Sequence, residues 1–202
     1  MADFPRTLYP SGTTIPKFPA GLSSYGISGK GQHRSTLQVG RVWSETYGLK
    51  RGGDPVARGF WARVNEMWRN REIFTIDHHT LSNPQGTGTG TPLVNGALQT
   101  GSSIITDGWA ANEKVLKGGD IITFAVINIV YDVPADVISD GSGNATIPIS
   151  PPIFEGGEPA DNAVITVSGV KFRAVIERIS TMPSCGPSEV YGGMKIEFRE
   201  AP

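Results

Sequence analysis

The chain has 202 residues, with 18 Lys and Arg against 19 Asp and Glu for a formal net charge of −1. That balance lacks the basic excess that marks nucleic-acid or anionic-membrane binding, and the sole cysteine, Cys185, excludes an internal disulfide and a cysteine-based zinc site. The length suits one large all-β domain or two small ones, and 26 glycines with 15 prolines predict many turns.

Residues 1–33 carry Pro5, Pro10, Pro16 and Pro19 among scattered Gly and Ser, which predicts an extended arm with at most a short strand. Such an arm often packs on a neighbour. The opening Met1-Ala2-Asp3-Phe4-Pro5-Arg6 lacks the features of a signal peptide, and no run approaches the roughly 20 apolar residues of a membrane span. The expectation is a chain made in, and soluble in, the cytosol, where the sequon Asn144-Ala145-Thr146 carries no meaning.

From Thr36 to Tyr47, Leu37, Val39, Trp43 and Tyr47 recur at period two, the pattern of a half-buried strand. Arg41 and Glu45 fall on the same side and are read as the place where the strand leaves the core. Asp54 directly before Pro55 combines an N-cap acceptor with a proline suited to the first helical position. Val56, Phe60, Val64, Met67 and Trp68 follow at helical spacing, so a helix is predicted to about Arg69. Glu72 to His78 reads as the next strand.

Leu81 to Pro92, with Asn83-Pro84 and a Gly-Thr repeat, reads as a flexible linker. Gly86-Thr87-Gly88-Thr89-Gly90-Thr91-Pro92 lacks the Lys-Ser/Thr ending of a phosphate loop, and no helix start follows it. Beyond it, Ser103 to Thr106, a run from Ile121 to Val133 that folds back near Asn128, Thr146 to Ile149 and Ala163 to Val167 form short strands. Lys117-Gly118-Gly119-Asp120 and Asp140-Gly141-Ser142-Gly143-Asn144 supply the turns. About five strands in some 80 residues predict a small OB-like barrel. Val170, Phe172, Ala174 and Ile176, then Met194, Ile196 and Phe198, alternate with charged residues as two further half-buried strands.

The 36–79 segment holds too little apolar surface to close a core alone, so the two terminal strands are its expected partners. The fold class read from the sequence is therefore mainly β. A β-sandwich-like host domain with one helix (1–81 plus 169–202, with 1–33 as the arm) is interrupted by an OB-like β-barrel insert at 82–168.

This order of elements resembles the distal tail proteins of long-tailed, non-contractile bacteriophages, in the variant that carries an OB-fold insertion. The likeness rests on Leu116-Lys117-Gly118-Gly119-Asp120, Val130-Tyr131, Asp140 to Ser150, Val170-Lys171-Phe172-Arg173, and Tyr191-Gly192-Gly193-Met194 through Glu200. Two departures stand out: residues 1–33 have no counterpart in that family, and Val126-Ile127-Asn128 replaces a hairpin-tip glycine. The resemblance implies a non-enzymatic virion protein at the tail tip, assembled in the host cytoplasm. It implies a homohexameric ring, partnered by the tail tube and tail hub proteins; in such a ring the arm is the expected clasp between copies. A fibre, a collar or a host-surface polysaccharide would meet the insert, and no cofactor, nucleic acid or membrane is implied.

Candidate chemistry is sparse. His78 and His79 are adjacent in extended chain and point to opposite faces, which weighs against a shared metal ion. Asp107, Asp120, Asp136, Asp140 and Asp161 all sit at turns, where Asp favours backbone bonding over service as a glycosidase pair. No Gly-x-Ser-x-Gly elbow occurs. Among the aromatics, Phe124 and Tyr131 are predicted to pack inward, whereas Trp109, between Gly108 and Ala110, is the candidate for an exposed ligand contact. Trp61 lies off the main helical stripe and is the candidate interface residue, with Trp43 and Trp68 in the host core or a seam. The rival reading is a carbohydrate-binding module acting through the barrel. Residues 93–169 hold only Lys114 and Lys117 as cations, which argues against nucleic acid there.

Overall fold

The computed structural model of the chain describes residues 2–17, 21–25, 32–36, 40–48, 50–51, 54–125, 127, 129–181, 190–191 and 194–201. The sequence readings for Leu37, Val39, Cys185 and Asn128 fall outside them. The fold is mainly β with one α-helix among the described residues, and it divides into two compact units, Met1–Ile76 with Arg173–Pro202, and Asp77–Phe172. These junctions lie four or five residues from the 81/82 and 168/169 boundaries read from the sequence.

In chain order the outer unit begins with β1 (Ala2–Asp3), β2 (Gly12–Thr13), β3 (Gly21–Tyr25), β4 (Gln32–Thr36), β5 (Val42–Tyr47), β6 (Lys50–Arg51), α1 (Pro55–Arg69) and β7 (Phe74–Asp77). The barrel unit supplies β8 (Gly90–Val94), β9 (Gly101–Trp109), β10 (Lys114–Leu116), β11 (Ile121–Phe124), β12 (Val130–Asp132), β13 (Val137–Ile138), β14 (Ala145–Ile153) and β15 (Ile165–Thr166). The chain then returns to the outer unit through β16 (Lys171–Thr181), β17 (Val190–Tyr191) and β18 (Met194–Glu200).

The outer unit is built on one six-stranded sheet of order β1-β7-β16-β18-β5-β2, so the returning strands β16 and β18 lie between β7 and β5. Helix α1 starts where the sequence predicts: the Asp54 carboxylate accepts from Val56 N at 2.9 Å and Pro55 occupies the first turn. Its Phe60, Val64 and Met67 are buried, while Val56, the first residue of the predicted stripe, is left about half exposed by its place in the first turn. The helix packs on the aromatic face of the sheet through Phe60, whose ring meets those of Phe4 and Tyr47. Rings of Phe4, Phe60, Phe74 and Phe198 meet at centroid distances of 5.2 to 6.1 Å, and Trp43 stacks on Phe198 at 5.4 Å.

Alternation along β18 is regular, with Met194, Ile196, Phe198 and Glu200 buried. Along β16 it changes phase. Phe172, Ala174 and Ile176 are buried, then Ile179, because the register against β18 shifts between Ile176 and Arg178. One extra residue there carries the side-chain alternation over by one position.

Within the predicted arm, residues 2–17 hold only two-residue strands, and these lie on the chain's own sheet. β1 pairs with β7 at one edge of the outer sheet and β2 pairs with β5 at the other, while Phe4 enters the aromatic core. β3 and β4 pair antiparallel, Gly21 opposite Thr36 and Tyr25 opposite Gln32. Arg6 donates to both oxygens of Glu45 at 2.7 and 3.0 Å, and Tyr47 Oη donates to the same carboxylate at 2.6 Å. Glu45 and Arg41 therefore do not mark the strand leaving the core: Glu45 on β5 and Arg41 just before it are both fully buried. A charge on the apolar side of a strand is tolerated when a partner is delivered from elsewhere in the chain. Prolines kept the first 17 residues out of long strands but did not stop them from lying across the sheet.

The barrel unit is a six-stranded, nearly closed barrel of order β15-β11-β12-β14-β9-β8. An antiparallel bridge between Leu93 and Val164 and the bond from Val94 N to Ala163 O bring the two outermost strands together. It has six strands rather than five because Gly90–Val94 belongs to it. Its core is aliphatic, with Ile104, Leu116, Ile122, Val133 and Ile147 fully buried, and Phe124 and Tyr131 packed inward with ring centroids 5.2 Å apart.

The Gly-Thr segment before β8 is likewise not a loose tether. Thr87 N and Gly88 N donate to the carbonyls of Lys114 and Val115, and Asp120 accepts from Gln85 N, Gly86 N and Lys117 N at 2.7, 3.2 and 2.8 Å. A Cβ at Gly86 would lie 2.3 Å from Val115 O, so glycine is required here by close backbone approach rather than by flexibility.

Candidate functional site at one end of the barrel

Gly101 pairs with Ile153, so the start of β9 and the end of β14 share one end of the barrel. A groove of about 530 Å³ opens there, lined by Leu98, Thr100, Gly101, Pro152, Phe154 and the carboxylates of Glu155 and Glu158. Leu98 is 80% exposed and Phe154 57%, two large apolar side chains turned to solvent on either side of a concavity.

The loop carrying Leu98 is built to hold it there. Gln99 Nε2 donates to the carbonyls of Asn95, Gly96 and Ile105 while its Oε1 accepts from Ile105 N at 2.7 Å. Asp161 accepts from Gly96 N at 2.8 Å. With the loop clamped at both ends, Leu98 adopts φ 59°, the left-handed region that a side-chain-bearing residue rarely enters. Strain spent on displaying an apolar side chain outward is a mark of a recognition tip. Across the groove, Gly157 N donates to Phe154 O and Gly156 N to Glu158 Oε2, which closes a tight turn beneath the phenyl ring.

Charge separates between the two units in a way the whole-chain balance conceals. The outer unit holds fifteen Lys and Arg against nine Asp and Glu, a formal +6, whereas the barrel unit holds three against ten, a formal −7. The groove therefore suits neutral or cationic apolar ligands and disfavours phosphate or carboxylate groups.

Trp109, the sequence candidate for an exposed contact, is 5% exposed and belongs to the barrel core, with its Nε1 donating to Thr106 Oγ1 at 2.8 Å. Flanking Gly108 and Ala110 suggested a loop, but β9 runs through to Trp109, and a break in the alternation at Gly108, φ 75°, turns the indole inward after the buried Ile104 and Thr106. Phe154 is the exposed barrel aromatic. Trp61 lies half-buried on the flank of α1; Trp68, one heptad on, shares that flank, and Trp43 is buried.

The remaining candidates are accounted for locally. His78 is buried with Thr80 Oγ1 3.2 Å from its Nδ1, and His79 is exposed. Asp140 accepts from Ser142 N, Asn144 N and Asn144 Nδ2 within its turn, and these bonds, the Asn144 side chain first, hold its pKa below the ordinary value. Lys114, then the Gly118 amide, do the same for Asp136. Leu98, Glu155 and Glu158 went unread because a lone leucine in a turn and acids beside glycine look like ordinary loop residues. A charge count taken separately on the insert would have flagged its acidity.

No protein-family model matches the chain, and no functionally described protein is recognisably similar to it. The class of protein rests on the fold and the groove alone: a two-unit, mainly β chain whose barrel unit presents an apolar, acidic groove.

Proposed function

We propose that the chain is a structural virion protein of a phage tail tip, a distal tail protein whose outer units form a ring joining the tail tube to the hub and host-recognition apparatus. The observation that carries this reading is the discontinuous outer unit. Strands β16 and β18, separated from β7 by the whole barrel, lie in one sheet with β5 and β7, and residues 77–172 form a compact body of their own. That organisation matches the element order on which the resemblance rests.

The work of such a protein is geometric. A closed ring of more than two copies requires a heterologous contact repeated at a fixed rotation. Residues 2–17 lie on their own sheet, so the seam in this reading comes from side-chain surfaces and not from an exchanged arm. Sedimentation equilibrium and electron microscopy of the purified protein test the reading: a ring of six copies is expected, and a monomer at every concentration up to the millimolar range overturns it.

The barrel-end groove favours a second reading, a carbohydrate-binding module, because an exposed aromatic beside two carboxylates offers a stacking face and hydroxyl acceptors. Isothermal titration with host-surface polysaccharides tests it. Binding that is lost in Phe154→Ala supports it, and the absence of heat with every glycan removes it.

A further inference from the structure

Two surfaces, one on each unit, carry complementary chemistry. On α1, Arg58, Ala62, Asn65 and Arg69 are all exposed, and their spacing of four, three and four residues puts them on one face. Neither Arg58 nor Arg69 is in an ion pair among the described residues, unlike Arg63, which donates to Glu66 and Glu72. Trp61 and Trp68 line the adjoining flank, half-buried. Tryptophan and arginine together are the residue types that dominate binding energy at protein interfaces. On the barrel unit, the groove sets Leu98 and Phe154 beside Glu155 and Glu158, and Glu155 likewise has no ion pair among the described residues.

We infer that the acidic barrel end of one copy docks on the arginine face of α1 in another copy. Three observations select a second copy as the occupant. The formal charges of the two units, +6 and −7, nearly cancel, so copies can stack without accumulating charge. Each patch combines exposed or half-exposed aromatic surface with charge that its own chain does not neutralise. The patches differ from each other, so the contact is heterologous: each copy gives one face and receives the other, which is the requirement for a ring. This contact deepens the ring reading above and rests on it.

The test uses two full-length variants with changes at these surface positions. One carries Glu155→Arg and Glu158→Arg, and the other carries Arg58→Glu and Arg69→Glu. Circular dichroism should show both folded: Glu158→Arg removes the bond from Gly156 N and Arg69→Glu places an acid in the last turn of α1, and each local loss is small beside the stability of a folded unit. In sedimentation velocity each variant alone is expected to be monomeric at concentrations where the unaltered protein assembles. Mixed one to one, they are expected to reassemble with the two variants alternating, because the unaltered arginines of the first meet the unaltered acids of the second while its new arginines meet the second's new glutamates. Phe154→Ala, which leaves charge untouched, should weaken assembly about tenfold or more, and raising NaCl from 50 to 500 mM should weaken it by a similar factor.

Assembly of both variants indistinguishable from the unaltered protein would show that the seam lies elsewhere, overturning this contact while leaving the ring reading intact. A monomer under all conditions, with no assembly in the mixture, overturns both. If the unaltered monomer instead binds heparin and Arg58→Glu with Arg69→Glu abolishes that binding, the arginine face serves a polyanionic partner and the inference fails.

Discussion

Replacing Arg6 with alanine should destabilise the outer unit by about 2–3 kcal/mol. Glu45 is fully buried, and three of the hydrogen bonds to its carboxylate come from Arg6, twice, and from Tyr47. Removing one member of a buried ion pair typically costs about 3–5 kcal/mol, because the remaining charge is left without its partner. Here the Arg6 side chain is 18% exposed, so water can enter the vacated space, and the Tyr47 bond survives; both place the expected loss at or below the bottom of that range. Urea denaturation followed by tryptophan fluorescence reads the outer unit, since Trp43, Trp61 and Trp68 lie there and only Trp109 lies in the barrel. The second arm of the experiment is Arg6→Ala combined with Glu45→Gln. A neutral amide can still accept from Tyr47, so the double variant should recover about 1 kcal/mol or more relative to Arg6→Ala. A loss below about 0.5 kcal/mol for Arg6→Ala, or no recovery in the double variant, would refute the view that this strap is locked by the buried carboxylate.

Other expectations follow from single contacts. Asp120→Asn leaves one acceptor oxygen for the amides of Gln85, Gly86 and Lys117, and should cost about 1–3 kcal/mol with faster hydrogen exchange at Gln85 and Gly86; unchanged exchange would mean the segment is held by other bonds. Gly143→Ala sets a Cβ 2.3 Å from Trp109 O at φ 80°, so a loss of at least about 2 kcal/mol in barrel stability is expected by calorimetry. Burial, and then the neighbouring Glu45 charge, raise the Tyr47 pKa, so the folded state favours the neutral phenol. That stabilisation is fully present below the ordinary tyrosine value of about 10 and shrinks as pH climbs toward the raised folded-state value. Tyr47→Phe should therefore flatten the alkaline limb of a stability–pH profile, and an unchanged limb would count against it. Finally, Ser82 O accepts from both Gly169 N and Val170 N, so a short glycine bridge in place of residues 83–168 should leave the outer unit folded, judged by cooperative unfolding; loss of cooperativity would show that the outer core depends on the barrel.

Much of the architecture was legible because it depends on local rules. The Asp54-Pro55 pair fixed the helix start to the residue, and period-two alternation located β5, β7, β16 and β18 because each has one wet face and one dry face. What could not be read locally was where a misplaced charge finds its partner. Arg41 and Glu45 looked like a strand leaving the core, and nothing within ten residues of Glu45 announces that Arg6, 39 positions earlier, closes on it. The same limit hid the role of the Gly-Thr segment. Its glycines signal flexibility when read alone, yet Gly86 is small because another backbone lies against it.

The site residues show how breaks in strand alternation govern exposure. Trp109 has the parity of the exposed Ile105, yet the positive φ at Gly108 breaks the alternation that buries Ile104 and Thr106 and turns the indole into the core. Phe154 comes just after the last residue of β14, where the alternation no longer applies, and its ring is exposed. The same boundary logic extends to charge. A net −1 describes neither unit, because the insertion joins a basic host to an acidic guest, and a total taken over both averages away the charge of each. In a chain with an inserted unit, composition acquires meaning only after the boundaries are drawn. Once they are drawn here, the unneutralised arginines of α1 and the unneutralised acids at the barrel end become two halves of one electrostatic argument.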